Sequence, residues 1–220
     1  MSDNDLTTER KGTLPLIDST MAALGMSFFA LFVHSGWPMT VISACGLLLT
    51  TFTVLRGLKA ETSLIVILGL HRFSPVTLVC TVLGSLLGVV LGFIYRWGYG
   101  LEFLLRTFGQ FGPVAALIGA TEEFLFRGYI QGRLNWPGPI RAAAFTSLCH
   151  TVYKCALFAF PPEAMQINYP FLAIATFMIG IAFGVLRQRS GSIFPPIAAH
   201  VCFDIIAYGE YSQPPWWVWS

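Results

Sequence analysis

Long apolar runs separated by short polar turns dominate the pattern of this chain. A helix needs about 20 largely apolar residues to cross a bilayer, and seven runs reach or approach that length: 19–37, 38–55, 73–95, 113–129, 141–160, 169–186 and 193–208. The runs are continuous rather than alternating, which disfavours a β-barrel. We therefore predict an all-α polytopic membrane helix bundle of about seven transmembrane helices plus interfacial segments.

Polar stretches divide the chain into four predicted parts. These are a cytoplasmic tail, the N-terminal membrane helices with two interfacial segments, a membrane core, and a tryptophan-rich C-terminal tail: 1–18, 19–110, 111–210 and 211–220. The interfacial segments are predicted within 56–72 and 98–110. Gly84, Gly88 and Gly92 recur every four residues on one span, a spacing that suits close helix packing.

Composition agrees with a membrane protein. Of the 220 residues, 55% are hydrophobic and 11% charged, whereas an average soluble domain has about 25% charged residues. No basic patch interleaved with aromatic residues indicates a nucleic-acid partner. The lipid bilayer is thus the predicted surroundings. The small size and the near absence of extramembrane segments favour a prokaryotic cytoplasmic (inner) membrane.

The positive-inside rule predicts the orientation. With the N-terminus inside, nine basic residues lie on the cytoplasmic side: Arg10, Lys11, Arg56, Lys59, Arg72, Arg133, Arg141, Arg187 and Arg189. Only Arg96 and Arg106 lie outside. Seven spans then place the C-terminus outside.

Ionisable residues inside the spans are concentrated in the second half of the chain. Each costs a few kcal/mol at membrane depth and is a functional candidate: Glu122, Glu123, Arg127, His150, Lys154, His200 and Asp204. Anchoring of buried helices is the simpler alternative for the first three. Histidines and carboxylates on separate helices nevertheless favour a shared site.

Helical spacing predicts how the carboxylates are used. Glu123 and Arg127 are four residues apart and share a helix face, so we expect them to pair. Glu122 lies about 100° round the helix from Glu123 and is predicted to be free to act. His200 and Asp204 also share a face, where the carboxylate could orient the imidazole or share its task.

These motifs resemble the CPBP family, the CAAX prenyl endopeptidases and bacteriocin-processing ("Abi") intramembrane proteases. The resemblance covers about residues 111–208 and rests on Glu122-Glu123-x-x-x-Arg127, a histidine near the start of the next span, and His200-x-x-x-Asp204. The turn 68–72 also looks like the basic turn that often precedes the family's core.

Two positions depart from the family pattern. The second motif usually reads Phe-x-x-x-His, but Thr146 is four residues before His150, with Phe145 one residue earlier. Position 204 is aspartate where many members have asparagine, and an ionised Asp204 cannot donate a hydrogen bond to an oxyanion.

The resemblance implies peptide hydrolysis within the membrane, with 111–210 as catalytic core. Glu122 would act as general base on a water, supported by Glu123 and Arg127. His150 and His200 would position the water and stabilise the oxyanion. Asp204 would orient His200 or, if protonated, donate directly.

A zinc version would use Glu122, His150 and His200 as ligands, although the chain contains no HExxH motif. The implied partner is a membrane-anchored protein or peptide, carrying a prenylated CAAX tail, a leader or a C-terminal sorting segment.

Two alternatives remain from other classes of protein function. One is a non-catalytic scaffold or immunity protein of the same fold. The other is an ion-coupled transporter, which the absence of an internal repeat disfavours.

Overall fold

Helices form nearly all of the regular structure in the computed structural model, which describes residues 3–59, 64–70, 73–134, 139–161 and 166–216. The helical elements are α1 (Asp3–Phe32), α2 (Met39–Lys59), α3 (Leu64–Leu68), α4 (Pro75–Gly98), α5 (Phe111–Glu123), a π-helical turn (Phe124–Ile130), α6 (Gln131–Arg133), α7 (Pro139–Leu157), α8 (Tyr169–Ser190) and α9 (Phe194–Tyr208). His71 and Arg72 of the predicted basic turn, and residues 217–220 of the tail, lie outside the described residues.

Each predicted span corresponds to one long helical segment, with α5, the π-helical turn and α6 forming a single rod. Within the described ranges, four helices are long and apolar enough to cross a membrane: Pro15–Phe32, Met39–Gly57, Pro75–Gly98 and Tyr169–Ser190. The shorter α9 is also apolar. The all-α membrane bundle is therefore confirmed. The α5–α6 rod and α7 contain most of the polar residues discussed above, and this lowers their hydropathy.

Helix α1 supports the α5–α6 rod from behind. It packs along α2 and α7, and its buried residues Ala22, Met26 and Phe29 belong to one apolar cluster with Phe126 and Ile130 of the π-helical turn. This contact fixes the segment that directly follows the two glutamates.

The predicted glycine spacing on α4 forms a packing surface against α9. At Gly88, an added Cβ would overlap the carbonyl oxygen of Ala199 on α9. Glycine is required here because the two backbones approach too closely for any side chain. The predicted close packing is therefore confirmed, and its partner is the helix that carries His200.

Gly88→Ala is expected to destabilise the protein by about 1–3 kcal/mol, because the overlapping atom belongs to the backbone and can move little. Thermal unfolding in detergent measures the effect. Gly98→Ala on the same helix is the matched control, since no neighbouring atom of the described residues lies within 4 Å of its added Cβ. Equal melting temperatures for the two variants would contradict the packing argument.

Candidate active site

The paired glutamates end α5, where the helix widens. The seven residues Phe124–Ile130 form a π-helical turn, in which backbone hydrogen bonds run from i to i+5, an arrangement frequent at functional sites. Sequence periodicity predicted a helix here but not the wider turn. Glu122, Glu123 and Arg127 are 2%, 0% and 0% exposed, so all three charges need partners within the protein.

Glu122 accepts hydrogen bonds from three side chains of α7. The Oε1 atom accepts from Lys154 Nζ at 2.7 Å and from the Tyr153 hydroxyl at 3.1 Å. The Oε2 atom lies 3.1 Å from His150 Nε2. The carboxylate that is predicted to be free to act is thus the more heavily bonded of the two glutamates. The reason is that three polar side chains of α7 point toward this carboxylate.

Glu123 and Arg127 pair as predicted, at 3.1 Å between Oε1 and Nη1. The same Nη1 lies 2.9 Å from His150 Nδ1, and the same Oε1 lies 2.9 Å from His200 Nδ1. The pair therefore connects both histidines, and one continuous polar network joins α5, the π-helical turn, α7 and α9.

These partners assign the protons on the two imidazoles. Arginine can only donate, so His150 Nδ1 accepts from Arg127 and its Nε2 carries the proton that faces Glu122. At His200 the order is reversed, since Nδ1 faces the Glu123 carboxylate and must donate. The network thus fixes the orientation of both rings.

Asp204 lies beside His200 but is not hydrogen-bonded to it. The distance from His200 Nε2 to Asp204 Oδ2 is 3.8 Å, and to Glu122 Oε2 3.9 Å. His200 therefore takes its orientation from Glu123 rather than from Asp204. Gly119 makes room for this arrangement, because a Cβ there would overlap the Asp204 carboxylate.

A cavity of about 950 Å³ reaches this network from one end of the bundle. The inner end of the cavity, its floor, is formed by polar side chains: Glu122, His150, Lys154, His200 and Asp204. Apolar and aromatic side chains of α4, α8 and α9 line most of the remaining wall. A polar floor below apolar walls is typical of a site that binds a largely apolar ligand and acts on one polar group.

A family model described as type II CAAX prenyl endopeptidase Rce1-like matches residues 102–206. This segment is similar to the Rce1-like family, which belongs to the CPBP proteases. The predicted resemblance to the CPBP family is therefore confirmed over this segment, and the matched range includes every site residue predicted from the sequence. Searches of curated proteins and of solved structures found no match. The match to the Rce1-like family, together with the apolar helices, indicates an integral membrane protein and a CAAX-type membrane protease.

The departure from the expected motif at Thr146 affects packing. Thr146 is fully buried, and Phe145 packs against the apolar cluster around α1. His150 has an aromatic neighbour in Phe126 of the π-helical turn, with ring centroids 4.5 Å apart. The imidazole is thus held from a different helix.

Tyr153 and Lys154 are site residues that sequence reasoning did not assign. Lys154 was recognised as an ionisable residue within a span, but its partner was not. Its position four residues after His150 puts both side chains on one helix face, and Tyr153 is three residues after that histidine. This spacing was the signal available in the sequence.

The predicted zinc ligands are close together but are already engaged with protein groups. Both histidines bond their Nδ1 atoms to protein groups and direct Nε2 toward Glu122. Across the residues that the structure describes, no three histidine, cysteine, aspartate or glutamate side chains have the geometry of a metal site.

Proposed function

We propose that this protein is an intramembrane endopeptidase that hydrolyses a peptide bond in a membrane-anchored or lipidated substrate, with Glu122 as general base on a water. The observation that carries the proposal is the placement of the Glu122 carboxylate at the end of a largely apolar cavity, hydrogen-bonded to His150 and within 3.9 Å of His200. The match to the Rce1-like family supports the same chemistry.

Glu122 retains room for a water despite its three donors. A carboxylate offers about four acceptor sites, and two of its donors bond Oε1 while one bonds Oε2. A water beside Oε2 can donate to it. Oε2 takes the proton as the water oxygen attacks the carbonyl carbon, and returns that proton to the leaving amine when the carbon–nitrogen bond breaks.

The oxyanion would form beside His200 and Asp204. The Nε2 atom of His200 faces the cavity near the carboxylates of Glu122 and Asp204. When this nitrogen is protonated, it can donate a hydrogen bond to the new oxyanion. Asp204 can donate only as the neutral acid. We assign it this donor role, because Glu123 rather than Asp204 is hydrogen-bonded to His200.

This assignment predicts opposite results for two substitutions at position 204. Asp204→Asn retains a donor of the same size and is expected to keep most activity. Asp204→Ala is expected to lose about 10²–10³-fold in kcat, the usual cost of one oxyanion donor. Cleavage kinetics of purified protein measure both. An equally large loss in both variants would contradict the donor role and show that the negative charge, which both remove, is what matters.

Lys154 is proposed as a positioning residue. Its ammonium lies 2.7 Å from Glu122 Oε1, the shortest of the three hydrogen bonds that restrain the rotation of that carboxylate. Lys154→Met is expected to reduce kcat by about 10–10²-fold with little change in KM, because a misplaced base costs rate more than binding. Lys154→Arg should recover part of kcat. A loss confined to KM would instead indicate that Lys154 contacts the substrate.

The proposed function is tested with detergent-purified protein and a panel of anchored peptides: prenylated CAAX, leader and C-terminal anchor types. Each is assayed with and without a strong chelator. Cleavage that chelation leaves unchanged supports Glu122 acting directly. Cleavage that is lost on chelation and restored by zinc would assign Glu122, His150 and His200 as ligands of an ion that supplies a bound water.

Failure of the folded protein to cleave any panel member would overturn the protease proposal for these substrate types. Co-purification of a bound membrane protein would then favour the scaffold interpretation.

The predicted division of the chain is retained as part of the proposal, with 111–210 carrying the catalytic groups. Helix α4, from the preceding part, contributes a wall of the cavity.

A further inference from the structure

Among the residues that the structure describes, those that line the cavity lie toward one end of the bundle. Its walls are the last turns of α4, the N-terminal half of the α5–α6 rod, the C-terminal halves of α7 and α9, and the N-terminal two-thirds of α8. Successive membrane helices alternate in direction, so all these helix ends lie on the same side. The open end also includes residues of the segment 211–216 and is close to the α1–α2 turn, where His34 and Trp216 are in ring contact.

The opposite end is filled by direct contacts between elements. Gln131 Nε2 donates to the Gly184 carbonyl at 2.8 Å, and Arg187 Nη2 donates to the Ile67 carbonyl at 2.9 Å. Ile193, at the start of α9, is fully buried. A peptide cannot reach Glu122 from this side without separating α3, α6, α8 and α9.

Aromatic side chains mark the depth of the open end. Trp97 and Tyr99 are 81% and 69% exposed, and both line the mouth together with Tyr211 and Trp216. Tryptophan and tyrosine are enriched where the bilayer meets water. The mouth therefore lies at an interface, and a peptide enters the cavity from the headgroup level.

The charges distinguish the two ends. At the closed end, the described residues include five arginines on or beside the helix termini: Arg56, Arg133, Arg141, Arg187 and Arg189. At the open end they include Arg96 and Arg106. Ion pairs with carboxylates occur at both ends, with Glu210 and Glu102 at the open end and with Asp18 at the closed end, so the two ends differ in their number of basic residues. By the positive-inside rule, the closed end is cytoplasmic.

We infer that the catalytic cavity opens to the extracytoplasmic face and that its substrate is a membrane protein whose cleavable segment lies in the extracytoplasmic leaflet. The C-terminal anchor of an exported protein places its cleavable segment in that leaflet, whereas a cytoplasmic CAAX tail does not. The part of the inference that concerns a substrate rests on the proposed protease function. The direction in which the cavity opens rests on geometry and charge alone.

The apolar side of the cavity fits such a substrate. Ile94 on α4 and Phe171 and Met178 on α8 line the cavity and are 55%, 69% and 59% exposed. The wall between these two helices therefore faces lipid as well as the cavity. An apolar anchor can remain in the bilayer there while the adjoining peptide reaches Glu122.

Two cysteine variants at opposite ends of α8 test the direction of the cavity. Gln166→Cys lies at the mouth, and Gln188→Cys lies at the closed end, and both glutamines are exposed. A membrane-impermeant sulfonated maleimide is added to right-side-out and to inverted membrane vesicles, with wild type giving the background from native cysteines. We expect Gln166→Cys to label in right-side-out vesicles and Gln188→Cys in inverted ones. Reversed or equal labelling overturns the inference.

Peptide cleavage in the same vesicles tests access of substrate. The three peptide types of the panel are added from outside, in charged forms that remain in the outer leaflet. We expect cleavage by right-side-out vesicles and, for inverted vesicles, only after detergent is added. Cleavage by intact inverted vesicles overturns the inference. No cleavage even in detergent counts against the protease function instead, and the labelling pattern still decides the direction.

Discussion

Glu122→Gln is expected to lower peptide hydrolysis by about 10²–10⁴-fold, the range that a positioned general base contributes. Glutamine keeps the size of the side chain, and its one amide oxygen can still accept from Tyr153 and Lys154 in the place of Oε1. The amide then has no acceptor facing His150, and it cannot take a proton from water at neutral pH. Initial cleavage rates of purified protein on the panel peptide that wild type cleaves measure the loss. Glu102→Gln is the matched control, because that carboxylate is 51% exposed and outside the cavity.

The same substitution leaves the Lys154 ammonium without its carboxylate, so a fall in stability could imitate a fall in catalysis. The double variant Glu122→Gln/Lys154→Met removes both charges and is expected to restore the melting temperature without restoring cleavage. Activity near that of wild type in either variant would refute Glu122 as the base.

Arg127→Ala is expected to cause the largest loss of stability, about 3–5 kcal/mol, the usual result of removing one partner from a buried ion pair. The side chain is fully buried, and its Nη1 contacts both Glu123 and His150. Its removal leaves a carboxylate with 0% exposure to be compensated by His200 alone. Thermal unfolding in detergent and the yield of folded protein measure the loss.

Two variants distinguish the buried pair from a general sensitivity to arginine removal. Arg106→Ala breaks a pair whose side chains are 75% and 51% exposed, and is expected to cost no more than about 1 kcal/mol. Glu123→Gln/Arg127→Met removes both buried charges and should be more stable than Arg127→Ala. If Arg127→Ala and Arg106→Ala melt alike, the pair does not support the site.

Much of the fold was predictable because its cause is local. Whether a run is apolar enough to enter a bilayer depends on the residues of that run alone. The structure has a long helical segment on every predicted run. The glycine spacing on α4 predicted a close helix contact, and the spacing of Glu123 and Arg127 predicted their pair, which is confirmed at 3.1 Å. Periodicity did not predict the π-helical turn after Glu123, because a wider turn leaves no mark on hydrophobic spacing.

The site was predictable as a set of residues but not as a set of bonds. The residues Glu122, Glu123, Arg127, His150, His200 and Asp204 come together, but the spacing did not predict all of their partners. Spacing on α9 left two roles open for Asp204, orienting His200 or sharing its task, and in the structure Glu123 is the carboxylate hydrogen-bonded to His200. Glu122, predicted to be free to act, is bonded by three residues of α7. Helical spacing ranks neighbours on one helix and carries no information about a second helix.

The sequence by itself determined the membrane bundle, the family motif and the excess of basic charge at one side, since these depend on residue type and on short separations along the chain. Only the tertiary structure decided which atoms meet across separations of 28 and 77 residues, as in the bonds from His150 to Glu122 and from His200 to Glu123. It also decided which end of the bundle is open. Both are properties of how helices pack, because close packing lets a side chain reach only the groups that neighbouring helices bring within a few ångströms.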